Sequence, residues 1–292
     1  MCGAEVFPLM PVKAVVEMPY HSFDAHSGAH MLRVDLSWID PFIGVDSYTL
    51  RSNPFGPHPH AGMSAVSLTL PESEAGTINR DSMGDHSLIR PGDLHWFQAG
   101  RGAMHEETPA EPGKIEQGLQ IFVNLSRVHK QSDPVGLRVA NERMPVVQFE
   151  GGSLRVVAGE FDGQASPIKQ DKRWLTHVNM LDLSLDAHAK LDIPVRAGDN
   201  AFFVVRSGAF RGLAGVDIAH SAIIFDGSGA SYSQVARIAA GSQALRGVFF
   251  SGTPINEPAY AGGPFMGNSA QDITAYRRAF ARGEMGQLQA SS

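Results

Sequence analysis

Short runs of alternating apolar and polar positions recur along the chain. Such runs fit half-buried strands, whose side chains point to opposite faces in turn. They cover residues 31–39, 65–70, 118–125, 154–160, 177–185, 201–206, 221–225 and 244–250. Several are bounded by Gly, Pro, Asp or Asn, residues that turn a chain. Helical spacing is scarce. Near the C-terminus Ile273, Tyr276 and Phe280 share a helical face, Ser269 offers an N-cap with Asp272 in the capping-box position, and Gly283 offers a stop. Residues 126–130 suggest a turn or short helix. Many short strands with so little helix predict an all-β fold, a sandwich or barrel rather than βαβ units.

The 292 residues suit two domains of moderate size. The strand pattern breaks between residues 125 and 150, where Pro134, Pro145 and polar residues intervene. A division into residues 1–135 and 136–292 leaves two β-rich halves of similar size. Arg90-Pro-Gly-Asp93 and Arg196-Ala-Gly-Asp199 each precede an apolar run, an echo compatible with two copies of one β-barrel unit.

Composition narrows the function classes. A net charge of -6 without a long run of one sign gives no basic face for nucleic acid. No stretch approaches the roughly 18 apolar residues of a membrane helix. Glu5, Lys13 and Glu17 interrupt the apolar residues at the start, unlike a signal peptide. The one cysteine, Cys2, permits no intramolecular disulfide and is a poor nucleophile candidate at its terminal position. A cytoplasmic protein is expected.

Two segments carry candidate chemistry. In His58-Pro59-His60 the histidines are two apart, so on an extended segment both point to one side. Pro59 favours that extension for itself and for His58. His105 and Glu107 repeat the spacing. Three imidazoles and a carboxylate suit iron, manganese, copper or zinc, and suit calcium poorly. Taken singly, each segment also reads as a polar loop or a solvated edge strand. His95 follows a turn and sits where a strand residue would face a barrel interior, whereas His86 lies in a surface turn. The remaining histidines lack paired spacing, and the second half has no His-x-His, so no comparable metal is expected there. No Gly-x-Ser-x-Gly elbow is present, and Gly100-Arg-Gly102 lacks the helix that a phosphate loop needs.

With these residues in place, the chain resembles the pirin family of the cupin superfamily. The resemblance lies in Asp40-Pro-Phe-Ile43, Phe55 to Gly62 (FGPHPHAG), Asn79 to Gly84, Pro91 to Trp96 and Ala99 to Glu107. It continues in Asn256-Glu-Pro258, Gly263-Pro-Phe265 and Asn268. It implies two face-to-face cupin (jelly-roll) β-barrels with a short C-terminal helix. It also implies one metal, usually Fe(II), held in the N-terminal barrel by His58, His60, His105 and Glu107. Ala61 stands where the family usually has Arg, Ser64 where an acidic residue is common, and His95 where Gln is frequent. Residues 71–76 replace a Leu-Glu-Gly turn.

Three functions follow from the resemblance. The first is a quercetin 2,3-dioxygenase-type reaction, in which a flavonol-like ring is opened by molecular oxygen with loss of carbon monoxide. Glu107 would there be the catalytic group that accepts the substrate proton. The second is an iron-dependent, redox-sensitive regulator that binds a protein partner. The third is a barrel with vestigial metal affinity. Manganese, copper, zinc or nickel would fit the same ligands as iron. A monomer without nucleic-acid or membrane contact is expected.

Overall fold

The expected strands form, and most of them lie in two seven-stranded sheets. The structure is a computed structural model that describes residues 7–211, 220–227 and 229–288. Cys2 and Glu5 lie outside the described residues. The first sheet runs in the order Val135–Val139, Leu94–Gln98, Met63–Thr69, Glu116–Asn124, Phe42–Leu50, Gly28–Leu32 and Tyr20–Ser22. A four-stranded sheet faces it, ordered His58–His60, Ala103–Pro109, Thr77–Asp81 and His86–Ile89. The second large sheet is ordered Val12–Glu17, Ser221–Phe225, Asn200–Ser207, Leu245–Gly252, Val178–Leu185, Gly152–Ala158 and Val146–Phe149. The paired strands Lys190–Val195 and Gln234–Ala239 cover its outer side with Ile193, Val195, Ala236 and Ile238. This is a pair of cupin barrels.

Alternation decides what each sheet face meets. On Glu116–Asn124, Leu119, Ile121 and Val123 enter a core shared with the second barrel's Met180, Phe202, Val204 and Phe250. The intervening Glu116, Gln120 and Phe122 line a cavity inside the first barrel. The sheet is buried on both faces, which is why Met63–Thr69 is buried at every position. The second barrel fills its interior with Leu154, Leu183, Phe203, Ile223 and Phe249. The first leaves room, because several inward positions hold small residues such as Gly44, Gly118 and Ser67.

The two sheets also exchange strands across the expected division at residue 135. Val135–Val139 pairs with Leu94–Gln98 in the first sheet, and Val12–Glu17 pairs with Ser221–Phe225 in the second. Two local expectations change. The run over 31–39 ends its strand at Leu32, and a 3-10 turn follows at Leu36–Trp38, capped by the Asp35 carboxylate on the Ser37 amide. The helix forms over Ala270–Ala281 with Ser269 as its cap, but Phe280 is 41% exposed, so Ile273 and Tyr276 alone carry the buried stripe. No helix among the described residues is long and apolar enough to cross a membrane.

Candidate metal centre

His58–His60 is a short edge strand held extended by Pro59. It pairs antiparallel with Ala103–Pro109, so that His105 lies opposite His58 and Ala103 opposite His60. This register brings the three imidazoles together, with one nitrogen of each within 4.8 Å of the others. His58 Nε2 and His105 Nε2 are 3.1 Å apart. Two imidazole nitrogens bound to one metal at about 2.1 Å sit roughly 3.0–3.4 Å apart, so this spacing fits a shared ion.

The remaining ring nitrogens explain why those donors are available. His58 Nδ1 donates to the Gly56 carbonyl at 2.9 Å, and His60 Nδ1 donates to the Pro264 carbonyl at 3.3 Å. A carbonyl only accepts, so both protons sit on Nδ1 and both Nε2 atoms carry free lone pairs. His105 stacks flat on Phe97, with ring centroids 4.5 Å apart and an interplanar angle of 4°. Burial, reinforced by the neighbouring His58, pushes the His60 imidazole down to about 3. Burial, with His60 and His58 beside it, also takes His105 well below the ordinary range. Both rings are therefore neutral at physiological pH, the form that binds a metal.

The support behind this strand comes from the far end of the chain. Met266 N donates to Ala61 O at 2.9 Å. Ala61, Met104, Phe265, Ile273, Tyr276 and Met285 form one apolar cluster, which seats the helix Ala270–Ala281 behind the histidines. Gly62 turns the chain at φ +75°, where an added Cβ would lie 1.9 Å from Met266 O. The Lys130 ammonium, buried, donates to Gly62 O at 3.0 Å and to Asn124 Oδ1 at 2.5 Å and so ties the turn down.

Glu107 is on the same strand as His105 and lines the same cavity. Its carboxylate is engaged elsewhere. Oε2 accepts from the Ser67 hydroxyl at 2.7 Å, and Oε1 is 3.2 Å from His95 Nδ1. It is not among the atoms gathered by the three histidines. His95 is fully buried on the cavity side of its strand, while His86 is exposed. Glu106 points away, into a salt bridge with Arg80.

The cavity has a volume of about 610 Å³. Its wall is mostly apolar, with Met31, Ile43, Leu50, Met63, Phe122 and Phe265, and Phe23 and Phe55 meet edge to face at 4.8 Å. Polar residues that the sequence reading passed over also line it: Asp46, Tyr48, Glu116 and Gln120. The signal for the last two was present. Glu116, Gln120 and Phe122 alternate with Leu119, Ile121 and Val123, a strand polar or aromatic on one side and aliphatic on the other.

The pirin family profile matches residues 24–123, and the profile of the pirin C-terminal cupin domain matches residues 180–286. The chain is 31% identical to human pirin over 253 residues, which is 83% of this chain and 81% of the human one. The chain belongs to the pirin family. Its fold is that of a quercetin 2,3-dioxygenase from Acinetobacter baumannii, with a TM-score of 0.82 at 22% identity over 96% of this chain and all of that one. A bacterial pirin from Escherichia coli, solved in complex with nickel(II), superposes with a TM-score of 0.59 at 15% identity. The match covers 82% of this pirin-family chain and 99% of the Escherichia coli one.

Proposed function

We propose that the chain is a metal-dependent oxygenase that takes a flavonol-like, quercetin-type substrate with molecular oxygen as co-substrate. The observation that carries this reading is the three-histidine group in the wall of a partly open, mostly apolar cavity of about 610 Å³. Such a cavity has the size and lining of a small-molecule site. A relative from Pseudomonas aeruginosa named a putative quercetin 2,3-dioxygenase, 30% identical over 80% of this chain and 83% of its own, supports the substrate class.

In this reading His58, His60 and His105 hold one divalent transition ion, Fe(II) by family, and Mn, Cu, Zn or Ni fit the same donors. When bound, the ion supplies the Lewis acidity that favours the anion of a substrate hydroxyl. Glu107 would accept that hydroxyl proton, and it would complete the ligand set only by turning its carboxylate from Ser67 and His95 towards the histidines. Met63, Phe122 and Phe265 exclude water and orient the aromatic rings.

The test is aerobic incubation with quercetin, followed by flavonol absorbance and oxygen uptake, with metal measured by elemental analysis. Wild-type protein is expected to contain metal and consume both reactants. His105→Ala is expected to lose the metal and the turnover together. Absence of any metal-dependent loss of quercetin overturns the reading.

A further inference from the structure

Three polar side chains lie in one row on the sheet that faces the histidine-bearing strands. Ser67 is directly opposite His95 on one side and Gln120 on the other. Residues opposite each other in a sheet point to the same face, so all three turn towards the first barrel's interior. Their strand neighbours Leu94, Trp96, Val66, Leu68, Leu119 and Ile121 go the other way, into the core shared with the second barrel. Ser67 is 1% exposed and His95 is fully buried. Burying such groups is costly unless they are hydrogen-bonded. The second barrel fills its interior with apolar side chains, so the fold alone does not call for a polar row.

The row is bonded to one group. Glu107 reaches it from the opposite sheet, on the strand Ala103–Pro109. Its Oε2 accepts from the Ser67 hydroxyl at 2.7 Å, and its Oε1 accepts from His95 Nδ1 at 3.2 Å. A carboxylate only accepts, so both bonds are donated to it and each of its oxygens is engaged. Gln120 Oε1 lies 3.1 Å from the same Ser67 hydroxyl, and the Gln120 amide donates to the Val66 carbonyl at 3.3 Å, which braces the row at its other end. The Glu107 oxygens stay outside the group in which the three histidine nitrogens lie within 4.8 Å of one another. An ion at those nitrogens therefore competes with two buried donors for this carboxylate, and hydrogen bonds to a charged acceptor are the strong ones.

We infer that Ser67 and His95 are positioning residues that hold Glu107 off the ion, so that the three histidines alone bind it. This departs from the four-ligand set that the family resemblance implies. Three neutral imidazoles leave the ion its full charge and leave open the position that a carboxylate would fill, and both favour a substrate oxygen there. Glu107 remains beside the centre in the cavity wall, within reach of the substrate and apart from the ion. The inference rests on the metal centre proposed above and is independent of the flavonol.

The experiment titrates metal-free protein with Co(II), whose visible absorption changes with the number of ligands around it. In otherwise wild-type protein, Glu107→Gln is expected to leave the spectrum unchanged and to weaken Co(II) by no more than about threefold, the effect of a nearby charge that is not bound. In Ser67→Ala/His95→Leu the carboxylate is released to the ion. Co(II) is then expected to bind about tenfold more tightly, with the weaker absorption of a higher coordination number, and adding Glu107→Gln reverses both changes. A changed spectrum in Glu107→Gln alone, with affinity lower by about tenfold or more, overturns the inference and leaves the metal centre standing. So does an unchanged spectrum in Ser67→Ala/His95→Leu that still binds Co(II). If that double variant does not fold, Ser67→Ala alone decides by the same change of spectrum. Wild-type protein that binds no Co(II) overturns the metal centre and this inference together.

Discussion

Burial acts in opposite senses on the two kinds of titratable group that face the cavity. It favours the neutral form of each, so His60 is pushed down to about 3 and Glu116 up to about 7. For Glu116 burial outweighs the hydrogen bonds from Thr77 and Tyr48, which pull the other way, and the charge of Glu107 adds to the rise. The folded state thus holds the Glu116 proton more tightly than the unfolded chain, which releases it near 4.5. The stability this contributes is fully present below 4.5 and is lost as pH rises through about 7. The loss amounts to roughly 3 kcal/mol. Glu116→Gln is expected to flatten the stability profile between pH 5 and 8, as measured by urea unfolding across that range. His58 and His60 were legible because their spacing along one extended segment is a local property, and His105 because it repeats that spacing with Glu107 on a second segment. Glu116 was not, because its meaning depends on Tyr48 and Thr77, which arrive from other strands.

At the scale of elements, the helix Ala270–Ala281 and the strand His58–His60 form one support. Ile273, 4% exposed, packs in the cluster that backs Ala61 and Met104. Ile273→Ala is expected to cost about 2–4 kcal/mol in stability, the usual penalty for emptying such a site. It should also weaken metal retention on dialysis, because the strand loses its backing. Thermal unfolding and elemental analysis of the same sample check both effects. The helix was readable from its cap and its apolar spacing. The strand Phe42–Leu50, among the longest in the structure, was not read as one. Its Gly44, Asp46 and Tyr48 face the cavity, so the polar positions that mark a functional wall also break the pattern that marks a strand.

At the scale of the whole molecule, the two barrels share a core. Phe42 of the first meets Phe202 and Phe250 of the second, at 5.2 and 5.4 Å between ring centroids. Trp96 and Trp174 meet edge to face at 5.6 Å, both buried. Arg155 adds a polar tie from the second sheet, donating to Gly92 O at 2.7 Å while its other end donates to Asp182 Oδ2 on the neighbouring strand at 3.0 Å. Neither barrel can unfold without exposing the apolar face of the other. A single calorimetric transition is expected, coincident with the change in tryptophan fluorescence; two separated transitions would contradict a shared core. The even division of the chain conveyed the two barrels but not their exchanged strands, since pairing between Val12–Glu17 and Ser221–Phe225 leaves no local mark in either segment.

The carbonyl that orients His60 belongs to Pro264, 204 residues further along the chain. Translation delivers His58, His60 and His105 long before it delivers that acceptor. Until the C-terminal segment docks on Ala61, the His60 ring lacks the contact that aims its Nε2 at its neighbours. A copy cut short ahead of Pro264 lacks that acceptor, so the last of the three rings to be aimed waits on the end of the chain.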